Sequence, residues 1–284
     1  MDRISIVLPA KNEGAALAKL LPRLRQNQPQ AEIIVVDDGS TDNTRELCAE
    51  HGVVCLSAPY SMGNGAAIKR GARAAQGDVI VFMDADDQHD PVDIQRLLSK
   101  LDEGYDMVVG ARDWDGQATV SRGMANAFYN WLASRITGFN VADLTSGFRA
   151  VRANKFREFL YLLPNGFSYP TTSTMAFFRS AYSVAYLPIK VAQRVGKSHI
   201  KPLRDGLRFL LIIFKIATLY SPLKLFVPAS VLFFMLGLGH YIYTFVTLHR
   251  FTNMSALLLS ASVIVFLIGL ISEQITALTY RRDE

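Results

Sequence analysis

From Leu225 to Leu248, and again from Phe251 to Ser272, the chain carries no Asp, Glu, Lys or Arg. Each run is long enough to cross a bilayer as a helix, since about 20 apolar residues match the hydrocarbon thickness. Only His249-Arg250 separates them, so they read as a membrane hairpin (spans 225–248 and 251–272, within a segment 225–280) rather than as two core helices of a soluble domain. A hydrophobic fraction of 50% over 284 residues and a mean hydropathy of +0.18 are high for a soluble enzyme, and the excess sits in these runs.

The net charge of +5 matters through its location. Lys190, Arg194, Lys197, Lys201, Arg204, Arg208, Lys215 and Lys224 precede the first span, and Arg281-Arg282 follow the second. The positive-inside rule then predicts a multi-pass protein of the cytoplasmic membrane with both termini in the cytoplasm and His249-Arg250 on the far side. Residues 201–224 alternate these cations with Leu, Ile and Phe at helical spacing, which predicts a basic amphipathic helix in the membrane interface. Nucleic acid is not an expected partner, because no nucleic-acid motif accompanies the charge. No signal peptide is expected, Ile4 to Pro9 being too short an apolar run. Cys48 and Cys55 lack metal-ligand spacing and suit a reducing compartment.

Residues 1–200 have another texture. Ile4-Leu8, Ile33-Val36, Val53-Leu56, Val79-Met83 and Met107-Val109 read as strands; Ala15 to Arg25, Thr44 to Glu50, Ala66 to Ala75 and Val92 to Leu101 read as helices. Repeated strand-helix units imply an α/β domain: a Rossmann-like, mainly parallel sheet with helices on both faces. Further on, the pattern predicts a helix near Gly123 to Ile136, a turn over Asp143 to Arg149 and a strand near Val184 to Val191.

Parallel sheets bind ligands beyond the carboxyl ends of their strands, and three polar loops fall there: Lys11-Asn12-Glu13-Gly14, Asp37 to Asp42, and Asp84-Ala85-Asp86-Asp87-Gln88. Each alone is explicable as a turn or helix cap, the role expected of Asp42 and Thr44. Together on one edge they suggest a pocket in which carboxylates present hard oxygen ligands to a divalent cation holding a diphosphate. Asp87 and Asp90 are close enough in sequence to compete with Asp84 and Asp86. Gly63-Asn64-Gly65 serves either a close backbone approach to a ligand or the turn into the next helix.

Six segments in order carry a family resemblance: Val7-Leu8-Pro9-Ala10-Lys11-Asn12-Glu13, Val35-Val36-Asp37-Asp38-Gly39-Ser40-Thr41-Asp42, Gly63-Asn64-Gly65, Asp84-Ala85-Asp86-Asp87-Gln88-His89, Thr145-Ser146-Gly147-Phe148-Arg149 and Arg194-Val195-Gly196-Lys197-Ser198. The chain resembles family 2 glycosyltransferases of the GT-A fold, and within them polyprenyl-phosphate sugar synthases similar to dolichyl-phosphate mannose synthase. The resemblance implies a nucleotide-sugar donor, a polyprenyl-phosphate acceptor, Mg2+ or Mn2+, and a homo-oligomer of unspecified number. It implies that Pro9, Ala10, Glu13, Asp37, Asp38 and Ala85 line the nucleotide pocket, and that Asp84, Asp86 and Gln88 hold the metal and diphosphate. It places Arg112 and Arg122 on the acceptor-phosphate side, and Arg194 with Lys197 and Ser198 near the phosphates. Arg149 is a further candidate for that phosphate, since an arginine fork binds phosphate oxygens in pairs.

Asp143 stands where such enzymes often have an acidic residue. A phosphate monoester has a second pKa of about 6 and arrives already ionised, so Asp143 either acts as a base or only orients substrate. Two departures from the family pattern stand out. Gly196-Lys197-Ser198-His199 permits either Lys197 or His199 to face phosphate, and Tyr169-Pro170-Thr171-Thr172 lacks acidic residues, which bears on sugar selection. Tyr129, Trp131 and Tyr161 are expected chiefly in the core, with stacking on sugar or lipid as the other role. The rival functions are a transferase acting on a glycan hydroxyl, which needs a general base, and a non-catalytic nucleotide-binding membrane scaffold. The processive synthases' Gln-x-x-Arg-Trp segment is absent, Trp occurring only at 114 and 131.

Overall fold

The computed structural model describes residues 2–112, 120–166, 168–192, 211, 214, 218 and 220–280, without the side chains of 120–126. It divides into two compact units, 1–200 and 201–284.

In the first unit the elements run β1 (Ile4–Ala10), α1 (Gly14–Asn27), β2 (Glu32–Asp37), α2 (Thr44–Glu50), β3 (Val54–Cys55), α3 (Asn64–Ala74), β4 (Val79–Phe82), α4 (Val92–Leu101), β5 (Met107–Arg112), α5 (Val120–Thr137), β6 (Arg149–Arg152), α6 (Ala153–Arg157), α7 (Tyr169–Arg179) and β7 (Val184–Ile189). They form one seven-stranded sheet in the order β3-β2-β1-β4-β6-β5-β7. Alternate residues of the strands point to opposite faces. Ile6, Leu8, Ile33, Val35 and Val81 meet Leu17, Leu20, Leu21 and Leu24 of α1 and Ile94, Leu97 and Leu101 of α4 in one core. Each fully buried Leu there contributes about 1.5–3 kcal/mol. On the other face α3 approaches so closely that a Cβ on Gly71 would lie 2.3 Å from Val7 Cγ1.

All pairings are parallel except those of β6, which runs antiparallel between β4 and β5 with Phe82 opposite Arg149 and Met107 opposite Val151. The sequence pattern predicts a turn up to Arg149 and no strand after it. Four residues with arginine at both ends carry too little apolar alternation to read as a strand. Helix α7 also escapes the pattern, because every residue from Tyr169 to Phe178 is buried and no polar face exists to set a 3.6-residue period. Its start is nonetheless conventional: Ser168 accepts from Thr171 N, and a proline occupies the first turn.

The second unit contains two long apolar helices, Leu223–Leu248 and Asn253–Thr279, both long and apolar enough to cross a membrane. The first ends at His249 in the left-handed conformation (φ 47°) and the second opens on Thr252, whose side chain accepts from Ser255 N. Their buried positions are small or hydroxylated: Ser230, Gly237 and Thr244 on one helix, Ser255, Ser262, Gly269 and Thr276 on the other. A seven-residue repeat of small side chains lets two helices pack closely with a left-handed crossing. At its centre Ser230 Oγ donates to Ser262 O (3.0 Å) and Ser262 Oγ donates to Ser230 O (2.9 Å). The second helix continues past the expected limit at Ser272 because Glu273 does not end it. The Glu273 carboxylate accepts from Ser221 Oγ (3.1 Å) and Leu223 N (3.3 Å), at the first turn of the preceding helix.

Candidate active site

The carboxyl ends of β1, β2 and β4 lie side by side. Because β6 runs the other way and starts beside Phe82, the turn 143–148 reaches that same edge. A cavity of about 410 Å³ opens there, lined by Pro9, Ala10, Lys11, Glu13, Asp38, Ser61, Gly63, Asn64, Ala67, Asp84, Ala85 and Asp86. Of the residues expected to hold a nucleotide and its diphosphate, Pro9, Ala10, Glu13, Asp38, Asp84, Ala85 and Asp86 thus share one cavity. Lys11, from the first of the three polar loops, lines it too, as does Ser61, which the sequence did not single out. Ser61 carries no motif of its own and reaches the site through Asp38.

Asp38 accepts from Ser61 Oγ (2.6 Å), Met62 N (2.6 Å) and Gly63 N (2.9 Å), so its carboxylate shapes the 61–63 wall as well as facing the cavity. Asp37 has no exposed surface and is absent from the lining. It accepts from Ser40 N (2.7 Å) and Arg45 Nε (2.7 Å). Burial would raise its pKa, but the hydrogen bonds from Arg45 and Ser40 outweigh that and hold the carboxyl below its ordinary value. Asp42 accepts from Gly14 N (2.9 Å) and Thr44 Oγ1 (2.6 Å), joining the first turns of α1 and α2.

Around β4, the left-handed backbone of Asp87 (φ 57°) turns its side chain to Arg23 Nη1 (2.9 Å), while Asp90 takes Arg23 Nη2 (3.0 Å). This separates them from Asp84 and Asp86. Gln88, expected with the metal ligands, lines a neighbouring cavity. Its Nε2 donates to Ala192 O (3.1 Å), and Ala192 N donates back to Gln88 O (3.0 Å). Among the described residues no three His, Cys, Asp or Glu side chains gather into a metal cage. The half-buried pair Asp84 and Asp86 fits a cation held by one or two carboxylates plus phosphate oxygens and water, which is how Mg2+ is commonly bound.

Both glycines of Gly63-Asn64-Gly65 serve packing. A Cβ on Gly65 would lie 2.0 Å from Pro164 O, and Ala66 N donates to Asn165 O (2.9 Å). Gly63 (φ 101°) and Asn64 also reach the cavity. Gly65→Ala is expected to cost about 1–3 kcal/mol, because backbone must move; a lowered unfolding midpoint of the full chain in detergent checks this.

Beside the cavity lies an ion pair. Asp143 accepts from Arg112 Nε (2.8 Å), Arg112 Nη2 (3.0 Å), Thr145 N (3.0 Å) and Ser146 N (3.1 Å), and Arg112 Nη2 also donates to Thr145 Oγ1 (2.6 Å). Burial alone would raise the Asp143 pKa, but the Arg112 fork and these N–H groups hold it below the usual carboxylate range. A saturated carboxylate of depressed pKa is a poor proton acceptor. Gly147 brings this turn against Asp84, since a Cβ there would stand 3.1 Å from Asp84 Oδ2.

Several expectations change. Arg149 has no exposed surface. Its Nη1 donates to Pro170 O (3.1 Å), Ser173 Oγ (2.9 Å) and Thr174 Oγ1 (3.2 Å), and Nη2 donates to Ser146 O. It therefore fastens α7 to the 143–148 turn and does not reach a phosphate. Thr171 and Thr172 are buried in α7 and do not line the cavity. His89 is buried, its ring stacked on Phe148 at 4.9 Å; burial, then the nearby Arg112, push its pKa down to about 4. Tyr129 is in the core as expected, but Trp131 and Tyr161 are 60% and 64% exposed. The Arg122 side chain, Arg194, Lys197, Ser198 and His199 lie outside the described residues, as does most of the segment 201–224.

A mostly parallel sheet whose carboxyl edge joins a cavity lined by Glu13, Asp38, Asp84 and Asp86 to a turn tied to Arg112 has the layout of the GT-A glycosyltransferase class. The chain belongs to glycosyl transferase family 2, whose model matches residues 5–160. A second model, the GtrB C-terminal hairpin, matches residues 221–278. Among curated relatives, the undecaprenyl-phosphate 4-deoxy-4-formamido-L-arabinose transferase of Proteus mirabilis is 33% identical over 54% of this chain and 49% of its own length. The enzyme of that name from Edwardsiella ictaluri is 32% identical over 67% and 60%. The chain thus spans about half to three-fifths of these relatives. Glycosyltransferase AglJ of Haloferax volcanii is 28% identical over 85% of this chain and 81% of its own. Among solved structures, glucosyl-3-phosphoglycerate synthase from Mycobacterium tuberculosis, with Mn2+, UDP-glucose and phosphoglyceric acid, superposes with a TM-score of 0.61 at 22% identity, covering 76% of this chain and 79% of that one. That likeness carries the fold.

Proposed function

We propose that the protein is a membrane-bound, inverting glycosyltransferase that moves a sugar from a nucleoside diphosphate to a polyprenyl phosphate such as undecaprenyl or dolichyl phosphate. The observation that carries this reading is the state of Asp143. Asp143, the residue expected either to act as a base or to orient substrate, is saturated by Arg112, Thr145 and Ser146, which suits an acceptor that needs no deprotonation. A glycan hydroxyl would need a base, so the same observation disfavours that rival. Paired carboxylates on a shaped cavity likewise disfavour a scaffold without turnover.

Pro9, Ala10, Glu13 and Asp38 bind and orient the nucleotide. Asp84 and Asp86 would hold Mg2+ or Mn2+, which when bound neutralises charge on the leaving diphosphate. Arg112, fixed by Asp143, orients the acceptor phosphate through its charge and remaining N–H capacity. A phosphate oxygen lone pair attacks the anomeric carbon, the bond to the diphosphate oxygen breaks with its electron pair, and the centre inverts. Catalysis rests on positioning and charge neutralisation. The relatives named for undecaprenyl-phosphate sugar transfer and the hairpin match support the lipid acceptor, and the cation-rich flanks of the spans support cytoplasmic termini.

The test incubates the purified full chain in lipid with radiolabelled nucleotide sugars, undecaprenyl phosphate and Mg2+ or Mn2+. Label is expected in the lipid phase with at least one donor and none without a divalent cation. Nucleotide binding with no lipid labelling from any donor would overturn the reading.

A further inference from the structure

The exposed side of α5 carries a feature that the transfer reading leaves unused. Tyr129, Ala133 and Ile136 are buried, whereas Phe128, Trp131 and Arg135 are exposed, as a helix with one face on the core requires. The Phe128 and Trp131 rings touch at 5.7 Å. Just past the helix, Phe139 stacks flat on Phe178 at 5.0 Å and stays 53% exposed, so its outer face is held in place against solvent. Residues 120–142 contain Arg122 and Arg135 and not one Asp or Glu. Exposed aromatic side chains in a stretch whose only charges are positive match the chemistry of an anionic bilayer surface: Trp and Phe enter the headgroup boundary, and arginine meets lipid phosphate.

We propose that the α5 face of the catalytic unit is itself a membrane contact, with Phe128, Trp131 and Phe139 entering the headgroup region of an anionic bilayer and Arg135 at its phosphates. This rests on the reading that the chain is membrane-bound, because a chain inserted through its hairpin holds its other unit near a bilayer by covalent linkage. The contact is distinct from the spans and serves the transfer reaction by limiting the orientations in which the 143–148 turn meets a headgroup.

The sequence supplies the reporter, since Trp114 and Trp131 are its two tryptophans. The full chain bearing Trp114→Phe is reconstituted into phosphatidylglycerol-containing and neutral phosphatidylcholine vesicles, with or without lipids brominated near the headgroup end of the acyl chains. In the anionic vesicles Trp131 emission is expected to shift to the blue, resist aqueous iodide and lose about half its intensity to the brominated lipid, as for a side chain roughly 5–10 Å into the interface. Quenching is expected to weaken in neutral vesicles. Emission open to iodide and indifferent to bromine would overturn the proposal. So would blue-shifted emission that no brominated lipid quenches, which marks a face covered by protein, either a second copy or another part of this chain. Should Trp114→Phe fold poorly, subtracting the Trp131→Phe signal from wild type isolates the same reporter. The readout needs no turnover, so lipid labelling without quenching sinks this inference alone, and quenching without labelling sinks the transfer reading alone.

Discussion

Asp86→Ala is expected to reduce sugar transfer by about a hundred- to a thousandfold, the scale lost when one group that manages transition-state charge is removed. Asp86 is half-buried in the lining of the cavity it shares with Asp84 and Glu13, beyond the end of β4 at Phe82. Membrane insertion and the unfolding midpoint should therefore stay near wild type. The useful contrast is with Asp87→Ala. Asp87 is held by Arg23 outside the cavity lining, and its loss should leave most activity while loosening the α1 contact. Turnover assays of the two variants at saturating and limiting Mn2+ separate the assignments. Wild-type turnover in Asp86→Ala, or equal losses in both, would remove Asp86 from the cation site.

Asp143→Asn is the second large effect, and its signature is stability as well as rate. The amide cannot form the two-pronged ion pair with Arg112: its one oxygen can still accept from Thr145 N, Ser146 N and Arg112 Nη2, but its NH2 then meets Arg112 Nε and Arg112 N, donors left without an acceptor. With the Asp143 side chain 6% exposed and that of Arg112 27%, the cost should be about 3 kcal/mol, toward the low end for breaking a buried pair. The acid dependence follows in sign. The folded pKa of Asp143 is depressed, so the stabilisation is fully present above the unfolded value of about 3.9 and fades as pH falls through the folded value. Wild type and variant should therefore differ most in unfolding midpoint at neutral pH and converge in strong acid. The KM for polyprenyl phosphate should rise as Arg112 loses its anchor. An unchanged midpoint combined with abolished turnover would instead make Asp143 a participant in the chemistry.

The strand-helix alternation of the first hundred residues was legible because each strand is a short apolar run bounded by turn residues; α2 and α4 fall on Thr44–Glu50 and Val92–Leu101 as the pattern has them. What escaped was structure without periodicity. β6 is short and ends in arginines, and α7 is buried on every side. At the site, residue type indicated chemistry better than partnership. Asp37, Asp38 and Asp143 all read as ligand-facing carboxylates, yet Asp37 and Asp143 are consumed by arginine and backbone N–H groups. Arg149 read as a phosphate ligand and is the largest fully buried side chain among the described residues. A one-dimensional pattern cannot tell a charge offered to a ligand from one enclosed by its own fold. Glu273 makes the same point in the second unit, where a carboxylate that should end a span caps its neighbour.

The reversed strand has a consequence for how such chains diversify. β5 leaves the sheet at Arg112 and β6 returns to it at Arg149, on the same edge, so the connection between these two strands begins and ends beside the cavity. Such a stretch can be lengthened, shortened or exchanged without disturbing the register of any strand. The cavity, lined by residues of the first ninety, would be kept while the segment beside it is rewritten, much as a tool keeps its handle when its bit is replaced.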